Sequence, residues 1–153
     1  DKGGFRYKQA CYTSTADSSS NALLLTAAWS GACIMVDCSS YNGSVKLPVV
    51  ATAAEVGLWY EFFFVGAISG TTTFFIETAG ADGNDEITGY LHNPAQTSAG
   101  ADITVDTSGD KLTFPVNTAV GTHVIIKCMV GGSAERWVAH SYVPTDITVT
   151  VGD

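Results

Sequence analysis

Positive charge is scarce in this sequence. Seven Lys and Arg stand against fifteen Asp and Glu in 153 residues, for a formal net charge of −8. Phosphate recognition needs clustered bases, so this balance argues against a nucleic-acid binder and against docking on anionic lipid. Charge of either sign is thin, at 14% of residues against ~25% in ordinary soluble domains. Long hydrophobic runs are missing too. The longest uncharged stretch, 18–36, is broken by Asn21, Thr26, Ser30 and Gly31, whereas a spanning helix needs ~20 mostly apolar residues. The polar run 9–21 stands where an apolar signal core would be, so no secretory signal is predicted.

Cysteine is present but sparse, at Cys11, Cys33, Cys38 and Cys128. Cys33 and Cys38 fall in one predicted strand, where ~3.3 Å per residue sets them about 16 Å apart. A disulfide tolerates no more than ~7 Å between Cα atoms. No Cys-x-x-Cys spacing occurs, and neither a metal nor a cofactor is expected. The expectation is reduced, mostly buried thiols of a protein folded in a cytoplasm, with Cys11 and Cys128 the pair to test for a bond.

Against these absences stands a hydrophobic fraction of 46%, enough for a real core, since a domain this size buries roughly 70% of its unfolded surface. Low charge with a positive mean hydropathy suggests outer surface covered by neighbouring molecules. The alternative is a stable β-protein whose exposed positions are Thr, Ser and Gly. The first ten residues carry three bases (Lys2, Arg6, Lys8) and one acid (Asp1), a short basic arm before an acidic body. A frayed terminus would look the same.

Hydrophobicity repeats every second residue. Within 57–65, Leu58, Tyr60, Phe62 and Phe64 point one way and Trp59, Glu61, Phe63 and Val65 the other, the alternation of a strand rich in aromatic residues. Segments 5–15, 22–26, 32–37, 45–50, 71–78, 87–91, 103–107, 111–114, 122–130, 136–143 and 147–151 read the same way, and 51–55 allows one helical turn. Turn residues punctuate them at Asn42-Gly43, Ser69-Gly70, Asp82-Gly83-Asn84, Ser108-Gly109-Asp110 and Gly131-Gly132. Ten or so short strands with such punctuation predict a single all-β domain over 1–153. The expected form is an antiparallel β-sandwich, jelly-roll-like, with a basic N-terminal arm at 1–10. The 58–65 strand, bulky on both faces, is expected at the centre and covered twice, once by the opposing sheet and once by a loop or another subunit.

Few constellations carry chemistry. The cluster Asp82 to Glu86 resembles the start of a calcium loop, but its sixth position is Ile87 and its twelfth Asn93, where Gly and a bidentate Glu belong. The histidines, His92, His123 and His140, lack ligand spacing. If Gly131-Gly132 closes a two-residue hairpin, His123 stands opposite His140, a pair able to bind metal or sense pH; a longer turn through Ser133 and Ala134 separates them. Glu55, Glu61 and Glu77 flank apolar strands and would serve a glycosidase only by converging in a cleft. Trp29, Trp59, Trp137 and Tyr90 form either a sugar-stacking platform or core. Neither Gly-x-Ser-x-Gly nor His-Glu-x-x-His occurs, and no phosphate-cradling glycine loop is present. No enzyme activity is expected.

The order of phrases along the chain is more telling. Leu25-Thr26-Ala27-Ala28-Trp29-Ser30-Gly31 precedes a short apolar strand. Val45-Lys46-Leu47-Pro48 follows, then Gly57-Leu58 with Tyr60 and Phe62, Phe75-Ile76 with Thr78, and Ile87-Thr88-Gly89. A final hairpin runs from Gly121 and Val124 to Trp137-Val138-Ala139. Over roughly 22–140 this resembles the head decoration, or cement, proteins of tailed bacteriophages. Trp29, where that pattern has a small polar residue, and the cysteines depart from it. The resemblance implies a structural virion protein on the outer capsid, binding the major capsid protein between capsomers as a dimer or trimer, assembled in the host cytoplasm. It carries no catalytic residues. Lys2, Phe5, Arg6 and Lys8 of the arm are the candidate capsid contacts. The alternative is a receptor- or carbohydrate-binding β-sandwich of a phage fibre or tail, marked by exposed aromatics gathered on one face. Small size disfavours a jelly-roll major capsid subunit.

Overall fold

The computed structural model describes residues 8–13, 22–40, 42–52, 55–79, 86–94, 110–132, 135–144, 147 and 149–152. Eleven strands occur among them: β1 Lys8–Thr13, β2 Leu23–Leu24, β3 Ala32–Asp37, β4 Gly43–Lys46, β5 Trp59–Phe64, β6 Phe74–Glu77, β7 Glu86–His92, β8 Lys111–Phe114, β9 His123–Val130, β10 Arg136–Tyr142 and β11 Thr150–Gly152. The all-β expectation stands, and alternation located most strands to within a few residues. The expected strand at 103–107 lies outside the described residues. So do two residues of the expected helical turn at 51–55, although the Glu55 N–H donates to the Thr52 carbonyl at 3.1 Å. A 3-10 turn at Ala27–Trp29 was not foreseen.

The strands form two sheets, in the orders β1-β3-β5-β9-β10-β7 and β11-β8-β6-β4-β2. From β1 to β9 each successive strand lies in the other sheet. This overturns the expected antiparallel arrangement. From β1 to β6 the chain crosses to the opposite sheet and returns each time with its next strand beside the previous one in the same direction; at β8 it returns antiparallel, against β6. Thus β1, β3 and β5 are parallel, as are β2, β4 and β6. Five of the nine described pairings are parallel, counting β7 on β10; four are antiparallel.

The turn signals misled because Gly and Asn mark a change of direction, not its destination. Asn42-Gly43 leads from β3 in one sheet to β4 in the other. There Asn42 Oδ1 accepts from the Thr73 N–H at 2.7 Å. Gly43 is buried in β4, where a Cβ would fall 2.5 Å from Cys38 Sγ and 3.0 Å from the Tyr12 ring. Glycine is needed there for close packing, not for a hairpin bend. Pro48, lacking an N–H, sits just beyond the end of β4, as a ladder requires.

The two sheets share one core. The inner face of the six-stranded sheet supplies Ile34, Val36, Tyr60, Phe62, Phe64, Val124, Ile126 and Trp137; the other supplies Val45, Phe74, Ile76, Leu112 and Phe114. The Phe64 ring meets Phe74 edge-on at 5.3 Å and Phe114 at 5.2 Å across the gap. Each such buried side chain contributes about 1.5–3 kcal/mol, and aromatic pairs add ~0.5–1.5 kcal/mol. β5 is interior, as expected; among the described residues only the opposing sheet covers it, and Phe63 on its outer face stays 39% exposed.

Candidate functional site

The six-stranded sheet presents its second face outward, and strand pairing sets its residues in rows. One row runs Met35, Phe63, His123, Tyr142, His92 across β3, β5, β9, β10 and β7. The next runs Cys33, Glu61, Ile125, His140, Tyr90. Alternation explains the composition: inward neighbours Phe62, Val124, Ile126, Trp137 and Ala139 are buried, so the residues between them face out.

Toward the β7 edge these rows line an open depression of about 440 Å³, formed by Tyr90, Leu91, His92, His123, Ile125, His140, Ser141 and Tyr142. Its rings come in cross-strand pairs. Tyr90 lies 5.7 Å from His140 and His92 lies 5.9 Å from Tyr142, both tilted. His123 is anchored from behind, with Nε2 donating to Glu61 Oε1 at 2.6 Å. Among the described residues no Lys or Arg lines the depression. Arg136, farther along β10, is held by Glu86 at 3.2 Å.

The structure brings all three histidines into one depression, but not in the pairing anticipated for a two-residue turn. The β9–β10 connection occupies 131–135, and a register shift at Arg136/Trp137 follows it. His123 therefore faces Tyr142, and His140 faces Ile125. No group of three His, Cys, Asp or Glu able to hold a metal ion occurs among the described residues.

The carboxylates do not converge. Glu61 lies on the outer face of one sheet; Glu77, beside Lys46 at 4.0 Å, lies on the outer face of the other. The whole core separates them. Glu55 accepts from Thr52 at its own turn. Of the aromatic platform, Trp137 is fully buried, so that residue is core, and only Tyr90 reaches the depression. His92 and Tyr142 were missed as partners, because only the parallel pairing of β7 with β10 sets them side by side.

Residues 82–85 of the acidic cluster lie outside the described residues, as do Lys2, Phe5 and Arg6 of the arm. Lys8 opens β1, and its side chain lies outside them too.

All four thiols are free. Cys11 and Cys128 cannot meet: Cys11 is exposed on β1, and Cys128 points into the core from β9, with β3 and β5 between. Burial, then the neighbouring Glu61 carboxylate, raises the Cys33 thiol above its ordinary value. Burial, then Asp37, pushes Cys38 up to about 12, and burial, then Glu135, raises Cys128. The thiolate is the reactive form, so these three react more slowly than a thiol at its ordinary value. A disulfide-exchange chromophore at pH 8 should therefore find one fast thiol, with the others reacting slowly or on unfolding. Cys11→Ser should abolish the fast phase; its persistence would contradict the assignment.

No family model, curated protein or solved structure matches this chain.

Proposed function

We propose that this chain is a non-enzymatic structural domain that decorates the outer surface of a bacteriophage capsid, bound between copies of the major capsid protein. Its two sheets are taken as a β-sandwich whose first strands are wound in parallel. The observation that carries the proposal is the outward apolar surface on β3 and β5. Exposed Phe63 stands there beside half-buried Met35 and Trp59, next to β1, into which the basic arm leads. Rings and a methionine exposed in this way are what interface cores are made of, and the carboxylates Glu61 and Asp37 on the same face are acidic partners within reach of a basic segment. The ordered sequence phrases from 22 to 140 support the capsid as partner, and Lys2, Phe5, Arg6 and Lys8 remain the proposed arm contacts.

Decoration would stabilise by mass action. A ligand that binds only the assembled lattice favours that state by RT ln(1 + [L]/Kd). Association as a dimer or trimer would add avidity. The protein would be made in the host cytoplasm and carried on the virion. Co-sedimentation with phage heads before and after expansion tests this. Retention on expanded heads alone is expected; equal retention on both, or on neither, contradicts it.

A second role, as a receptor- or carbohydrate-binding module of a fibre or tail, is favoured by the gathering of exposed Tyr90 and Tyr142 on one face.

A further inference from the structure

We infer that the depression on β9, β10 and β7 is a binding site for a neutral saccharide, stacked on Tyr90 and Tyr142 and hydrogen-bonded by the surrounding imidazoles. The site lies toward the opposite edge of the sheet from β1, so it serves a capsid decoration protein displaying that edge outward as well as a fibre module. It rests on the second reading above, to which it gives a ligand class, and not on the capsid role.

The lining chemistry selects the ligand class. Tyr90 and Tyr142 are 63% and 42% exposed, so each presents ring surface that nothing described in this chain covers. Apolar C–H faces of a sugar ring pack on such surfaces, while its hydroxyls need donors and acceptors at the rim. Tyrosine hydroxyls supply both functions, and a neutral imidazole donates from one nitrogen and accepts at the other. The Glu61 contact spends His123 Nε2 and leaves Nδ1 as the other ring nitrogen. A phosphorylated or sulfated ligand would want a cationic clamp, and among the described residues no Lys or Arg lines the depression. A wholly apolar ligand would leave the polar edges of three histidines and two tyrosines without purpose.

Geometry agrees. The His140–Tyr90 and Tyr142–His92 pairs are in register on β10 and β7, two residues apart along each strand. That spacing of about 6.6 Å is on the scale of one sugar residue. The volume, about 440 Å³, falls within the ~300–1,000 Å³ of small-ligand sites. Its openness lets a longer glycan run on past the edge. Both ring pairs stand on strands, not loops, so little ordering is needed on binding.

The test is a printed array of neutral and acidic glycans probed with the labelled full chain. Binding to at least one neutral glycan is expected, falling at least tenfold in Tyr90→Ala and in Tyr142→Ala and unchanged in Val120→Ser, a substitution in the turn before β9. Saturation-transfer NMR on the unmodified chain with the retained sugar should show contact with tyrosine ring protons, a readout that does not depend on a variant folding. No neutral glycan retained, acidic glycans alone retained, or neutral binding that survives both tyrosine substitutions would overturn the site. None of these outcomes bears on retention by phage heads, so the two proposals fail separately.

Discussion

Gly89→Ala should strip β7 from the six-stranded sheet and cost about 3–5 kcal/mol, more than ordinary overpacking. Gly89 pairs with Ala139 on β10, and a Cβ there would fall 1.8 Å from the Ala139 carbonyl oxygen and 2.7 Å from its carbon. The obstacle is backbone, so no rotamer change relieves it. β10 cannot retreat, because β9 holds it on the other side through Ala139 and Ile126. β7 is the edge strand and gives way instead. A melting-temperature loss of roughly 10 °C or more is expected, with hydrogen exchange accelerating first in β7 amides. Gly70→Ala is the control. Its φ of 68° disfavours a side chain, but nothing lies within 4 Å, so the loss should be about 1 kcal/mol. Equal losses at the two sites would refute the clash. Tyr90 and His92 ride on β7, so Gly89→Ala should also empty the saccharide site.

The second large effect is expected at Glu135, a carboxylate only 2% exposed at the turn between β9 and β10. One oxygen accepts from the Val50 N–H in a short hydrogen bond. The other accepts from the Trp137 indole N–H at 3.3 Å. The Gly132 N–H donates back to the Val50 carbonyl at 2.7 Å, so the carboxylate pins the segment after β4 to the hairpin. Removing it orphans two buried donors, each worth ~1–3 kcal/mol. Urea unfolding of Glu135→Ala should show a loss of about 2–5 kcal/mol. Glu135→Gln keeps an acceptor and should lose less. Were Gln as costly as Ala, the carboxylate's charge rather than its two hydrogen bonds would be what holds the turn.

Local pattern revealed the elements because each strand buries one face. Tyr60, Phe62 and Phe64 alternate with Trp59, Glu61 and Phe63 whatever lies beside them, so 59–64 needed no knowledge of topology. Partnership was not local. Asn42-Gly43 says that the chain turns, not that it leaves for the opposite sheet, and the parallel pairing of β3 with β5 follows from that journey. At the site, Tyr90, His123 and His140 stood out as residues, but their meeting required the registers of β9, β10 and β7. The five-residue connection at 131–135 moved His123 from His140 to Tyr142. Nothing in the spacing of Gly131-Gly132 distinguishes a two-residue turn from a longer one. Glu135 was invisible for a similar reason: its partner Val50 lies 85 residues away.

Docking through the apolar surface of β3 and β5 is what the capsid role stands or falls on, and Phe63 is its most exposed ring. The decisive measurement is quantitative pelleting of the native chain and of Phe63→Glu with expanded phage heads, both checked for folding by circular dichroism. The native chain should saturate the heads and the variant should bind at least tenfold more weakly. Indistinguishable pelleting of the two folded proteins would contradict a working surface at Phe63.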